Sequence, residues 1–236
     1  MRLNGALVFA GFLGTAVMAY GSDIVIDNFS CSDSVSLTGT GFNNSFVSPC
    51  AGAIGGERED FILNNGGSGS SVSTMTSNPP TRAITGTFGS GLSQSFEGMQ
   101  WSGSKPDSDL PNLNLVGDSI LVQIKSDMGG SLFAYFGSGP FGSPDSANLL
   151  EFTTTFAASS SYQDVLIPLT GTPMVLGTGA SLDDVTDILL NVSMPTGGTW
   201  TIDGVAAVPE PSTLLLTGIC FLGILTRSIR RRSVRQ

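Results

Sequence analysis

The chain has 236 residues, with ten basic against nineteen acidic side chains, a formal net charge of −9 and no histidine. Without imidazole there is no Ser-His-Asp or Cys-His catalysis and no histidine-ligated zinc or copper, and the acidic balance excludes nucleic acid as a partner because phosphate binding needs clustered Lys and Arg. The 31 glycines, about twice the usual share, suit many short strands joined by turns.

At the N-terminus Arg2 precedes the apolar run Gly5 to Met18, and small residues follow. Residues 1–21 read as a secretory signal peptide, cut after either Val17-Met18-Ala19 or Ala19-Tyr20-Gly21, which delivers the chain to the Sec export machinery. The segment 22–207 is then the exported domain. Four basic residues (Arg58, Arg82, Lys105, Lys125) stand there against eighteen acidic ones, a net −14. Such a surface stays soluble and repels anionic polymers unless divalent cations bridge the charges.

Wherever apolar residues concentrate in this domain their period is two. Strands are predicted at 23–29, 59–63, 71–76, 93–101, 119–125, 131–136, 148–156, 162–169, 187–194 and 199–203, each bounded by Gly, Pro, Asn, Asp or Ser turn signals. The alternation puts Ile120, Val122 and Ile124 on one face, then Leu150, Phe152 and Phe156, then Ile188, Leu190, Val192 and Met194, and finally Trp200 and Ile202. About ten short strands without an amphipathic helix predict an all-β, two-sheet sandwich of jelly-roll type.

Cys31 and Cys50 are the only cysteines of the exported domain. An even pair in an oxidising compartment predicts a disulfide closing a Gly, Ser and Asn-rich loop, the alternative being two buried free thiols. Arg58, between Glu57 and Glu59, reads as an ion-paired structural arginine or a ligand contact. Glu57, Glu59, Glu97 and Glu151 are the only glutamates before the tail, and the scattering of acidic residues through turns favours solvation over a paired-carboxylate hydrolase. The domain is therefore expected to be non-enzymatic.

The last 29 residues change composition abruptly. Val208-Pro209-Glu210-Pro211-Ser212-Thr213 leads into a Leu-rich run without charge as far as Thr226, and half of the chain's basic residues follow, among them Arg227, Arg230, Arg231 and Arg232. An apolar run with a basic end is a stop-transfer pattern, with the arginines held on the cytoplasmic side; the run is shorter than the ~20 residues that span a bilayer upright. Two prolines fix an extended segment poor in amide donors just outside the membrane, where a protease can bind it. Motif, hydrophobic helix, Arg cluster and terminal position together resemble the PEP-CTERM sorting signal of Gram-negative, exopolysaccharide-producing bacteria. The resemblance implies that residues 208–236 are handled by an exosortase-type membrane protease acting near Pro-Glu-Pro. The chain would sit transiently in the inner membrane through its C-terminal helix and then pass to the cell surface or extracellular matrix.

A second resemblance concerns the domain itself. Ile26-Asp27-Asn28-Phe29-Ser30, Gly55-Gly56-Glu57-Arg58-Glu59-Asp60 and Trp200-Thr201-Ile202-Asp203-Gly204-Val205 look like hallmarks of galactose-binding-like jelly rolls, a form shared by several carbohydrate-binding modules. In such folds the first and last strands run side by side, and a carboxylate from each can contribute to a structural calcium site. Mapped here, the candidates are Asp27 and Asp203, with solvated polar positions as the alternative. For sugar recognition the aromatic candidate is Trp101, which is either an exposed platform or a core residue. These expectations describe an exported envelope or matrix protein with a structural, adhesive role toward exopolysaccharide, the alternatives being a specific carbohydrate-binding module or a secreted glycoside hydrolase.

Overall fold

Alternating apolar and polar residues become strands along the whole domain in the computed structural model, which describes residues 23–67, 71–102, 110, 113–138, 148–178 and 180–210. The predicted signal peptide, and the tail from Pro211 onward, lie outside the described residues. In chain order the strands are β1 (Ile24–Asp27), β2 (Asp33–Thr38), β3 (Gly41–Val47), β4 (Glu57–Gly67), β5 (Val72–Asn78), β6 (Ala83–Thr87), β7 (Leu92–Ser102), β8 (Asp118–Ser126), β9 (Gly130–Gly137), β10 (Leu149–Phe156), β11 (Ser159–Pro168), β12 (Met174–Leu176), β13 (Asp187–Ser193) and β14 (Thr199–Pro209).

They form two antiparallel sheets, so the domain is the expected all-β sandwich. One sheet has the order β11-β8-β14-β6-β5-β2 with β1 added on β14, and the other the order β12-β10-β9-β13-β7-β4-β3. Along β14, Trp200 pairs with Gly86 of β6 and Ala207 with Ile24 of β1. The first and last strands therefore lie side by side, as the second resemblance implied. The predicted faces point inward: Ile120, Val122, Ile124, Ile188, Leu190, Val192, Trp200 and Ile202 are all buried. They meet in one core with Leu132, Ala134 and Phe136 of β9.

Ten predicted strands became fourteen, and the additions have a physical reason. β2, β3 and β12 are at the ends of their sheets, β12 with only three residues, and β6 packs a single large apolar side chain, Ile84, among Ala, Thr and Gly. β3 is almost wholly exposed at the sheet edge, so period two leaves no hydrophobic trace there. The predicted loop between the cysteines is thus largely strand: β2 joins the first sheet through β5, and β3 joins the second through β4. The Cys31–Cys50 disulfide is formed, with Cα atoms 5.7 Å apart across 19 positions, and it closes the segment that crosses from one sheet to the other.

One part of the interior is polar. Arg58 on β4 is fully buried; its Nε donates to Asp60 Oδ1 at 2.9 Å, its Nη1 to Asp27 Oδ2 at 3.0 Å and its Nη2 to Ser77 at 2.7 Å. Its guanidinium lies 5.2 Å from the Phe29 ring centroid. Asp27 also accepts from Trp101 Nε1 at 2.9 Å through Oδ2 and from the Phe29 amide at 2.7 Å through Oδ1. These contacts decide between the alternatives left open for two residues. Trp101 is 0% exposed and cannot be a surface platform, because its indole N–H is committed to a carboxylate inside the sandwich. Arg58 is the ion-paired structural arginine that was expected, its partners being Asp27 and Asp60 on the same inner side, while Glu59 points outward.

A second indole, Trp200, donates from Nε1 to Glu97 Oε2 at 2.7 Å. Gly86 lies against both side chains, where a Cβ would collide with the carboxylate and the indole. Glu97 Oε1 has no hydrogen-bond partner, and burial pushes the carboxyl up to about 8, the state of a neutral acid in an apolar seat. Burial also pushes Asp60 up, to about 7, against the pull of Arg58.

Two outcomes follow from this interior. A carboxyl whose folded pKa lies above its unfolded value binds more protons when native, so its stabilisation is complete below about pH 4 and is lost as pH rises through the folded value. Unfolding free energy from urea titrations should therefore decline between about pH 5 and pH 8, and Glu97→Gln should flatten that decline. Arg58→Met leaves Asp27 and Asp60 buried without their cation and should cost about 3–5 kcal/mol in the same titration.

Candidate functional site

With both tryptophans inside, the aromatic surface comes from elsewhere. Two strands of the second sheet, β4 and β9, carry large apolar residues on both faces. On β4, Ile62 points inward while Phe61 and Leu63 point outward, and on β9, Leu132, Ala134 and Phe136 point inward while Phe133 and Tyr135 point outward. Register assembles the outward residues into rows across the sheet. Phe61 is opposite Gly98, Gly98 opposite Asn191, and Asn191 opposite Phe133. In the next row Glu59 is opposite Gln100, Gln100 opposite Leu189, Leu189 opposite Tyr135, and Tyr135 opposite Glu151.

Phe42 and Phe61 pair at the β3–β4 edge with centroids 5.9 Å apart, and Phe96 and Phe133 meet edge to face at 6.1 Å, reaching over β13. Gly98 is what lets the rings lie low, since a Cβ there would strike both the Phe61 ring and the Asn191 amide. Polar groups flank the rings. Asn44 Nδ2 donates to Glu59 Oε1 at 2.6 Å, and Gln100 Nε2 to Asp187 Oδ1 at 3.0 Å. Tyr135 is pushed up to about 12, first by burial and then by the charge of Glu151 opposite it. Asn191 Oδ1 has no hydrogen-bond partner. Rings that present π-faces beside fixed amides and carboxylates can stack on the apolar face of a sugar and orient its hydroxyls.

The outer face of the first sheet is of another kind. It carries rows of hydroxyls, with Thr85 and Thr201 3.1 Å apart and Ser34 and Thr76 3.4 Å apart. The Lys125 ammonium sits 4.8 Å over the ring of Tyr162 beside a cleft of about 580 Å³ lined by Lys125, Asp127, Ser159, Thr199 and Thr201 among others. Asp203 belongs to this face. Burial raises its pKa and Asp164 adds to the rise, whereas Asp27 is in the core with Arg58. The two carboxylates named for calcium therefore lie on opposite sides of one sheet and are not brought together. Among the described residues no group of three or more Cys, Asp or Glu is arranged to hold a metal ion.

Of the four glutamates weighed for hydrolysis, Glu57 and Glu97 are buried, while Glu59 and Glu151 are at opposite ends of the aromatic row. Of the tail, only Val208, Pro209 and Glu210 are described. Val208 pairs with Ser119 and Pro209 with Asp118 as the end of β14. Pro211, Ser212, the hydrophobic run and Arg227, Arg230, Arg231 and Arg232 lie outside the described residues, and within those residues no helix is long and apolar enough to cross a membrane.

Gly98→Ala should test the seating of the rings: the added methyl displaces Phe61, and we expect a loss of about 1–3 kcal/mol from overpacking in a urea titration, together with altered aromatic signals in near-UV circular dichroism.

No curated protein matches the chain. Solved structures similar to it include the family 11 carbohydrate-binding module of a cellulosomal cellulase of Clostridium thermocellum, with 13% identity, a TM-score of 0.44 and coverage of 80% of this chain and 95% of that one. Another is a family 29 carbohydrate-binding module from Piromyces equi, with 11% identity, a TM-score of 0.33 and coverage of 75% and 91%. At the C-terminus, where β14 continues into Pro209-Glu210-Pro211, residues 207–232 match the PEP-CTERM protein-sorting motif, and the chain carries that motif.

Proposed function

We propose that this chain is an exported cell-envelope protein, processed at its C-terminal motif by an exosortase-type membrane protease, whose sandwich then has a non-catalytic, adhesive role among the polysaccharides of the cell surface. The observation that carries the reading is the sorting motif itself, contiguous with the last strand of a folded acidic domain. The occupant of the aromatic face is a neutral glycan. Rings and amides favour stacking and hydroxyl contacts, while a domain of net charge −14 disfavours anionic chains. A purely structural domain has no need of half-exposed phenylalanines in rows, because exposed apolar rings are an aggregation liability unless something covers them.

Two measurements test the reading. The intact mass of the protein recovered from the surface and medium of its native host should correspond to a chain ending close to Pro209–Ser212, whereas a product ending at Gln236 and confined to membranes would remove the processing step. In affinity electrophoresis through gels containing neutral β-glucan, xylan or mannan, at least one polymer should retard the domain. Tyr135→Ala should weaken that retardation roughly tenfold, in line with one stacking aromatic. Retardation by none of them, or equal retardation of the variant, would sink the aromatic face as the binding surface.

A further inference from the structure

The sorting motif does not begin beyond the domain; it begins inside it. Ala207 is buried in the core, and Val208 and Pro209 are paired with β8. Glu210 extends this attachment by one residue: its N–H donates to Gly117 O at 3.1 Å. Gly117, with φ +83, sits in the turn closed by the Asp118 amide on Leu115 O at 3.2 Å, and that turn aims its carbonyl at the motif. The side chain is held as well. Glu210 Oε1 accepts from Ser119 Oγ at 2.8 Å and from Thr170 Oγ1 at 3.1 Å, and Oε2 lies 3.2 Å from the same threonine hydroxyl.

Ser119 is 4% exposed, so its hydroxyl is a fixed part of the sheet. The Leu169 amide, donating to Asp118 O at 3.3 Å, anchors the turn that carries Thr170. The carboxylate is accepted here although Asp118 is next to it: burial, and then Glu210, push Asp118 above the usual carboxylate range.

We propose that Ser119, Thr170 and the Gly117 carbonyl form an intramolecular binding site for the glutamate of the sorting motif, a clasp that the processing protease must open before it can read Pro-Glu-Pro. This rests on the reading that the tail is processed. A protease that binds its substrate as an extended segment needs the same backbone groups and the same carboxylate that the domain already occupies. Only the fraction of chains whose last residues have detached from β8 is competent, and the apparent rate of processing is scaled by that fraction. The clasp forms only when β8, the turn after β11 and β14 are in register. A folded domain therefore presents its motif in a defined, slowly released form.

The test uses the full chain in its native host, comparing wild type with the double variant Ser119→Ala/Thr170→Val by pulse-labelling and intact mass. Removing two hydroxyls from a carboxylate should raise the rate of appearance of processed chain roughly tenfold, with the melting temperature of the domain little changed. An unchanged or slower rate overturns the proposal. Hydrogen exchange of the purified, detergent-held full chain gives a readout that needs no protease: the Glu210 amide should be protected in wild type and should exchange faster in the variant. An unprotected wild-type amide overturns the clasp even if processing occurs. A protected amide in a chain that no host ever cuts overturns the claim that the clasp controls processing, and the processing reading with it, while leaving the clasp's geometry standing.

Discussion

A guanidinium sealed inside a protein admits few arrangements, since it cannot shed its proton and its five N–H groups must all find acceptors. Arg58 directs four of them to acceptors on three strands, β4, β1 and β5, and lays its guanidinium over the Phe29 ring in the turn after β1. Asp60 is two residues along its own strand, Asp27 ends β1, Ser77 comes from β5 in the opposite sheet, and Trp101 on β7 shares Asp27. Asp27 is the hinge of the cluster because one oxygen serves Arg58 and Trp101 while the other fixes the backbone of Phe29, a non-glycine residue at φ +50. The cluster therefore sets the spacing of the two sheets at one end of the sandwich and the exit path of the chain from β1 toward the disulfide. A hydrophobic replacement could match its stability, but an interior of this kind specifies one register among the many that Ser- and Thr-rich strands tolerate.

This use of the interior decides what is left for the surface. Both tryptophans are spent on buried carboxylates, Trp101 on Asp27 and Trp200 on Glu97, so the exposed face of the second sheet is built from phenylalanines and Tyr135 instead. The two outer faces consequently differ in chemistry. One presents hydroxyl rows and a Lys125–Tyr162 contact, and the other presents rings over a glycine with amides and carboxylates beside them. The strand that closes the fold, β14, is central to the first sheet and also delivers the sorting motif, which joins the stability of the domain to the handling of its tail.

Much of this was legible in the order of residues, and the failures are instructive. Period two located ten strands, and the inner faces it assigned on β8, β10, β13 and β14 are buried, because a half-buried strand must alternate. It missed β3 because an edge strand with both faces in solvent has no alternation to show, and β6 because a lone Ile84 among Ala, Thr and Gly gives no repeat. Trp101 was ambiguous because alternation places a residue on a face without saying which partner awaits its N–H. The aromatic face left a trace that could have been followed: Phe61-Ile62-Leu63 and Leu132-Phe133-Ala134-Tyr135-Phe136 are apolar at consecutive positions. A strand apolar on both sides has a second face with work to do.

By itself the sequence determined the class of the domain, its acidity, its disulfide and the sorting motif at its end, because these depend on composition, short-range periodicity and contiguous residues. Only the tertiary structure decided which charges are inside and which side chains share a surface. Arg58 and Asp27 are 31 positions apart, Trp200 and Glu97 are 103 apart, and Ser119 and Glu210 are 91 apart. Their meeting is a consequence of strand order and register, which no local pattern encodes. For the same reason Asp27 and Asp203, each plausible as a ligand on its own strand, are separated by the thickness of a sheet.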